Sequence, residues 1–140
     1  MAELLDVDRQ YRQLAEADRL PRTVPLRFNP TRQAWLPILH AQRGRRHYTA
    51  LFSNTARAHE LGATRDWVVI ILEDQHARAQ WTVITAGYGK LRDRRIVRGR
   101  ERECGEYYER EGARATRQQE SQLALFDVSP LGPPEAVSSL

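Results

Sequence analysis

The chain has a single cysteine, a single lysine and no apolar stretch of membrane length. With Cys104 alone, no internal disulfide can form and a zinc site built of cysteines is excluded. A reducing cytosol is the setting that this implies. The longest apolar run, Trp67 to Leu72, is strand-sized, far short of the ~20 residues a spanning helix needs. The opening MAELLDVDRQ is acidic and lacks an apolar core, so no signal peptide is expected there. No HExxH or CxxC occurs, Ser53 has no nucleophile-elbow context, and GYGK at 87–90 falls short of a phosphate loop. His40, His47, His59 and His76 show no metal spacing, although His40 and His47 are placed to face each other across a hairpin. No cofactor and no metal site are expected.

What is present fits one modest domain. At 140 residues, 41% hydrophobic and 29% charged, the composition is globular rather than disordered. The formal charge is +4, and every cation but Lys90 is an arginine. A guanidinium suits bidentate contact with phosphate and stacks on flat rings. A GC-rich coding bias would also produce the excess, so position is more telling than number.

Periodicity predicts a helix over 2–19, from Leu4, Leu5, Val7, Tyr11, Leu14 and Ala15, ended by Leu20-Pro21. Arg22 to Phe28 reads as an edge strand because Pro25 excludes a central one. Gln33–Gln42 and Arg46–Phe52 read as a hairpin closed by Arg43-Gly44-Arg45. Ser53-Asn54-Thr55 caps a short helix at 56–61 that ends at Gly62. Trp67–Leu72 does not alternate, which predicts a strand buried on both faces. Trp81–Thr85 and Ile96–Val97 are further strands, and 100–110 is a helix with Cys104, Tyr107 and Tyr108 on one side. The expected class is α+β: a small, mostly antiparallel sheet with an N-terminal helix, a short inserted helix and a C-terminal helix. Residues 1–112 form this basic domain. Residues 113–140, rich in Arg, Gln, Ser, Pro and Gly, read as a disordered tail.

Two basic segments stand out. Lys90, Arg92, Arg94, Arg95, Arg98, Arg100 and Arg102 face only Asp93 and Glu101, with glycines at 87, 89 and 99. Arg43, Arg45 and Arg46 make a second basic tip. Brought together, they would track a phosphate backbone; otherwise they are a solvated, ion-paired surface. Trp35, Trp81 and Tyr88 are candidates to stack on unpaired bases, although strand tryptophans such as Trp67 and Trp81 belong more naturally to a core.

Within the tail, Gln122-Leu123-Ala124-Leu125-Phe126 resembles the glutamine-leucine-any-leucine-phenylalanine peptide by which bacterial polymerases and repair proteins dock on the sliding clamp. Leu125 and Phe126 would enter an apolar pocket while the Gln122 amide bonds at its rim. The alternative is that Leu123, Leu125 and Phe126 fold back as a terminal element capping the domain. A second resemblance spans most of 3–108. ELLDVDRQYR (3–12), LPR and RFNP within 20–30, AWLPILH (34–40), HYTALFSNTARAHELG (47–62), TRDWVVI (64–70) and RIVRGRERECGEYY (95–108) carry it. They resemble the C-terminal module of bacterial helix-hairpin-helix proteins related to family X DNA polymerases. This chain lacks the helix-hairpin-helix segment and the polymerase carboxylates, so polymerase or exonuclease activity does not carry over.

The two resemblances imply a DNA-maintenance setting. The expectation is a non-enzymatic, cytoplasmic and nucleoid-associated adaptor in repair or replication that binds DNA and is tethered to the sliding clamp. One rival is a small metal-dependent nuclease using Asp66, Glu73 or Glu103, with Asp74 and Glu101 as further acids. Another is an interaction module that partners a separate DNA-processing enzyme.

Overall fold

The computed structural model describes residues 1–74 and 77–128, and the side chains of all but 124–128. The chain divides into two compact units, Met1–Cys104 and Gly105–Leu140. The first contains helix α1 (Ala2–Glu16) and strands β1 (Arg22–Thr23), β2 (Leu36–Arg43) and β3 (Arg46–Phe52). Helix α2 (Ala56–Glu60) and strands β4 (Val68–Glu73), β5 (Arg78–Thr85) and β6 (Arg95–Val97) follow. Helix α3 (Glu101–Val128) begins in this unit and makes up the described part of the second. The fold is α+β, with one six-stranded antiparallel meander in the order β1-β2-β3-β4-β5-β6.

Register assigns the faces, because directly paired residues point the same way. Ala41 pairs Tyr48, Ala50 pairs Ile70, Phe52 pairs Val68, and Val68 continues through Val83 to Val97. These side chains are buried, and α1 lies on them with Leu4, Leu5, Val7 and Tyr11 at helical spacing. The opposite face carries Ile38, Leu51, Val69 and Ile71, all half-buried. The reading of Trp67–Leu72 as a strand buried on both faces is therefore corrected. The strand is central, between β3 and β5, but only alternate side chains are sealed beneath α1.

Polar contacts fix α1 on the sheet. The Tyr11 hydroxyl donates to the Pro37 carbonyl (2.7 Å) and accepts from the Phe52 amide (2.9 Å), so one oxygen joins the helix to β2 and β3. Its ring meets Phe52 edge-on at 4.9 Å. Asp8 is fully buried and bonded to Arg95 of β6 (2.9 Å) and Arg12 (3.1 Å). Burial pushes the Tyr11 phenol well above the ordinary tyrosine range.

The C-terminal helix is longer than composition suggests. Residues 113–128, expected to be disordered, are helical. The segment ARATRQQESQLALF is built of strong helix formers with no proline, and Gly112 alone is too weak a breaker to stop it. From Glu109 to Leu123 its side chains are exposed. Among the described residues, no helix is long and apolar enough to cross a membrane.

Candidate nucleic-acid interface

In an antiparallel meander the connections alternate between the two ends of the sheet. The β1–β2, β3–β4 and β5–β6 connections share one end, and the β2–β3 and β4–β5 turns share the other. The first three are the long ones, and together they carry Arg27, Arg32, Arg57, Arg65, Lys90 and Arg92, all exposed. Among the described residues, none of these six pairs with a carboxylate. The acids at that end are Glu60, Asp93 and Asp66, and Arg95 takes up Asp66.

The opposite end is neutralised. Arg43 bonds Asp6 (2.9 Å) and Gln10 (2.6 Å), Arg46 bonds Glu3 (3.0 Å), and Arg78 reaches Glu73 at 3.4 Å. Arg9 and Arg43 together hold the Asp6 carboxyl below the usual aspartate range, the bond from Arg9 first. Tyr48, buried and donating to Glu3, has its phenol pushed up to about 12, mainly by desolvation.

Two loops at the unneutralised end have ordered geometry. The β5–β6 connection is cross-braced: the Ala86 amide bonds the Arg94 carbonyl (2.9 Å), and the Asp93 amide bonds that of Ala86 (2.9 Å). Gly89 and Asp93 take positive φ to close it. It presents Tyr88, 88% exposed, beside Lys90 and Arg92. The β1–β2 connection is closed around the buried Asn29. Its amide nitrogen donates to the carbonyls of Pro25 (3.0 Å) and Gln33 (2.9 Å), and its oxygen accepts from the Gln33 amide (3.1 Å). Phe28 is held there at φ +54, which costs a side-chain-bearing residue about 1–2 kcal/mol. Its ring lies 4.5 Å from that of His59, and the Arg27 guanidinium is 5.8 Å from its centroid. Asn54 joins this loop to α2, donating to the Arg27 carbonyl (2.9 Å) and meeting His59 Nε2 through its oxygen (2.7 Å).

The basic residues singled out in the sequence separate. Arg43, Arg45 and Arg46 sit at the neutralised end, away from the 86–94 loop, so the two basic tips do not converge; of the three, only Arg45 lacks a carboxylate partner among the described residues. Arg95 leaves the candidate set. It is 11% exposed, bonded to Asp8, to Asp66 (2.8 Å) and to the Val83 carbonyl (3.1 Å), and its work is structural. Arg94 is exposed and already engaged. Past β6, Arg98 covers the Trp67 ring at 5.2 Å and Arg100 bonds Glu103 (3.0 Å), both lining an open groove beside Gln80 and Trp81. Trp67, Trp81 and Trp35 are half-buried.

The acids of the nuclease alternative lie apart. Asp66 is at the loop end with Arg95 and Thr85, Glu73 is at the other end with Arg78, and Glu103 pairs Arg100. Among the described residues no three His, Cys, Asp or Glu side chains group as metal ligands. His40 pairs with Thr49 and His47 with Gln42, so the two histidines do not face each other; His76 lies outside the described residues. In the pentapeptide, Gln122 and Leu123 are exposed on the final turns of α3, Leu123 at 57%; the side chains of Leu125 and Phe126 lie outside the described residues.

Arg27, Phe28, Arg32, Arg57 and Arg65 were not singled out from the sequence. They are isolated along the chain, and only the alternation of connections in a meander gathers them. No protein-family model, curated protein or solved structure matches the chain.

Proposed function

We propose that this protein is a DNA-binding adaptor of replication or repair that holds DNA at the loop end of its sheet and docks on the sliding clamp through Gln122–Phe126. One observation carries the DNA reading: six exposed cations that lack carboxylate partners among the described residues lie at one end of the fold, beside a tyrosine that is 88% exposed. Cations that served the fold would be paired, as Arg43, Arg46 and Arg78 are at the other end. Unpaired cations on such loops bind phosphates and release condensed counterions. Of the basic residues first singled out, Lys90 and Arg92 remain central, whereas Arg98 covers Trp67 and Arg100 pairs with Glu103. Binding is the activity proposed, and the unpaired cations are what support it.

The peptide adds a second, independent attachment. It lies at a helix C-terminus, where the last carbonyls lack intrahelical partners and unwinding costs least. An affinity near micromolar, about −8 kcal/mol, is expected for so short a segment. Joined to weak DNA binding, it is sufficient, because a tethered second attachment acts at high effective concentration.

The test is a salt titration of the full chain on labelled DNA. Lys90→Gln with Arg92→Gln should weaken binding uniformly across sequences and flatten the logarithmic salt slope by about one for each phosphate no longer neutralised. Absence of DNA affinity at low salt removes the DNA reading. Leu125→Ala with Phe126→Ala should abolish clamp binding in a separate titration, and unchanged binding there removes the tether.

A further inference from the structure

We infer that the loop end selects unpaired nucleobases, so that its ligand is single-stranded nucleic acid rather than duplex. The inference rests on the DNA-binding reading and deepens it. Cations alone treat single and double strands as phosphate tracks. Exposed aromatic rings do not, because the base faces of a duplex are already stacked on each other.

The loop end holds two such rings in different states of preparation. Phe28 is half exposed, kept in an unfavourable left-handed conformation and seated against the His59 ring. The Asn29 ring of hydrogen bonds and the Asn54 bridge fix that arrangement from both sides. Strain maintained by so many bonds is characteristic of positions kept for recognition. Leu26, two residues earlier, is 92% exposed, so the loop does not hold its large apolar side chains in the core. Tyr88 is the second ring. It stands between two glycines on a loop whose own backbone bonds hold it, and it is 88% exposed.

The spacing suits one strand. The connections carrying Phe28 and Tyr88 are four strand positions apart, about 19 Å at 4.7–4.9 Å per strand, and Phe28 leans on His59 of the connection between them. A few nucleotides bridge that distance, with Arg57, Arg65, Lys90 and Arg92 on the same end to meet their phosphates. DNA and RNA share the required chemistry, an unstacked base and a phosphate backbone.

Anisotropy of the full chain with a labelled DNA oligonucleotide, the RNA of the same sequence and the matched DNA duplex tests this. At least one single strand should bind roughly tenfold more tightly than duplex, the DNA and RNA arms identifying the source. Phe28→Leu and Tyr88→Leu should each weaken single-strand binding roughly tenfold, the loss of one stacked base. Phe28→Tyr and Tyr88→Phe should retain it, and duplex binding should not change in any of the four. Tyr88 is 88% exposed, so its variant remains informative if Phe28→Leu disturbs the loop. Equal affinity for duplex, or single-strand binding indifferent to both rings, overturns the inference while leaving DNA binding in place. If no nucleic acid binds, both readings fall.

Discussion

Replacing Arg95 with methionine separates a structural arginine from a ligand-binding one. Its side chain is 11% exposed and bridges α1 to the sheet through Asp8, which has no exposure at all. Breaking a buried ion pair on one side leaves a desolvated charge, at a cost of about 3–5 kcal/mol. Arg12 remains on the same carboxylate at 3.1 Å, which places the expected loss near the lower figure, about 3 kcal/mol. For a unit of this size, each kcal/mol moves Tm by about 4–8 °C, so a fall of roughly 12 °C or more is expected. Urea denaturation followed by circular dichroism should show a lower midpoint with an unchanged slope. Removing both charges, as Arg95→Met with Asp8→Leu, should recover a large part of the loss, because no orphaned charge remains. The reasoning fails if Arg95→Met costs under about 1 kcal/mol, or if it weakens nucleic-acid binding at unchanged Tm.

Other perturbations address the remaining joints of the fold. Tyr11→Phe keeps the edge-on packing with Phe52 but leaves the Phe52 amide and the Pro37 carbonyl without their partner. At about 1–3 kcal/mol for an unsatisfied buried group, a loss of at least about 2 kcal/mol in chemical denaturation is expected, and a negligible loss would show that water substitutes. The Tyr48 phenol is raised to about 12 in the folded chain against 10 in the unfolded one. Its contribution is therefore complete below pH 10 and lost as pH rises through about 12, and Tyr48→Phe should flatten the decline of the denaturation midpoint over that window. Asp6, lowered in the fold, contributes in the opposite sense: its share is present above the ordinary aspartate value and lost on acidification, an effect that Asp6→Asn should remove from the acid limb.

The strands and helices were legible because their signals are local. The alternation of Tyr48, Ala50 and Phe52, the Gly44 turn and the Thr55 cap each specify structure within a few residues. The end of α3 was not, because a polar run rich in Arg, Gln and Ser reads as tail by composition while its helix propensity points the other way. The site was half legible. Lys90 and Arg92 are marked by neighbouring charge, but Arg95 in the same run turns inward, and nothing in a one-dimensional count distinguishes them. The deciding fact is Asp8, eighty-seven positions earlier, whose burial demands a cation at that spot. Likewise Phe28 looks like the end of an edge strand until Asn29 is seen to curl the chain around its own amide.

The tight Gly44 turn has a practical use. Gly44 adopts φ +62 with open space around the position of a β-carbon, so its constraint is backbone geometry and not crowding. A tag or fluorophore joined at the neighbouring Arg45, whose side chain is exposed, would project from the end of the sheet remote from Phe28 and Tyr88. Immobilised there, the molecule would turn its opposite pole to the bulk, an orientation suited to surface-based measurements.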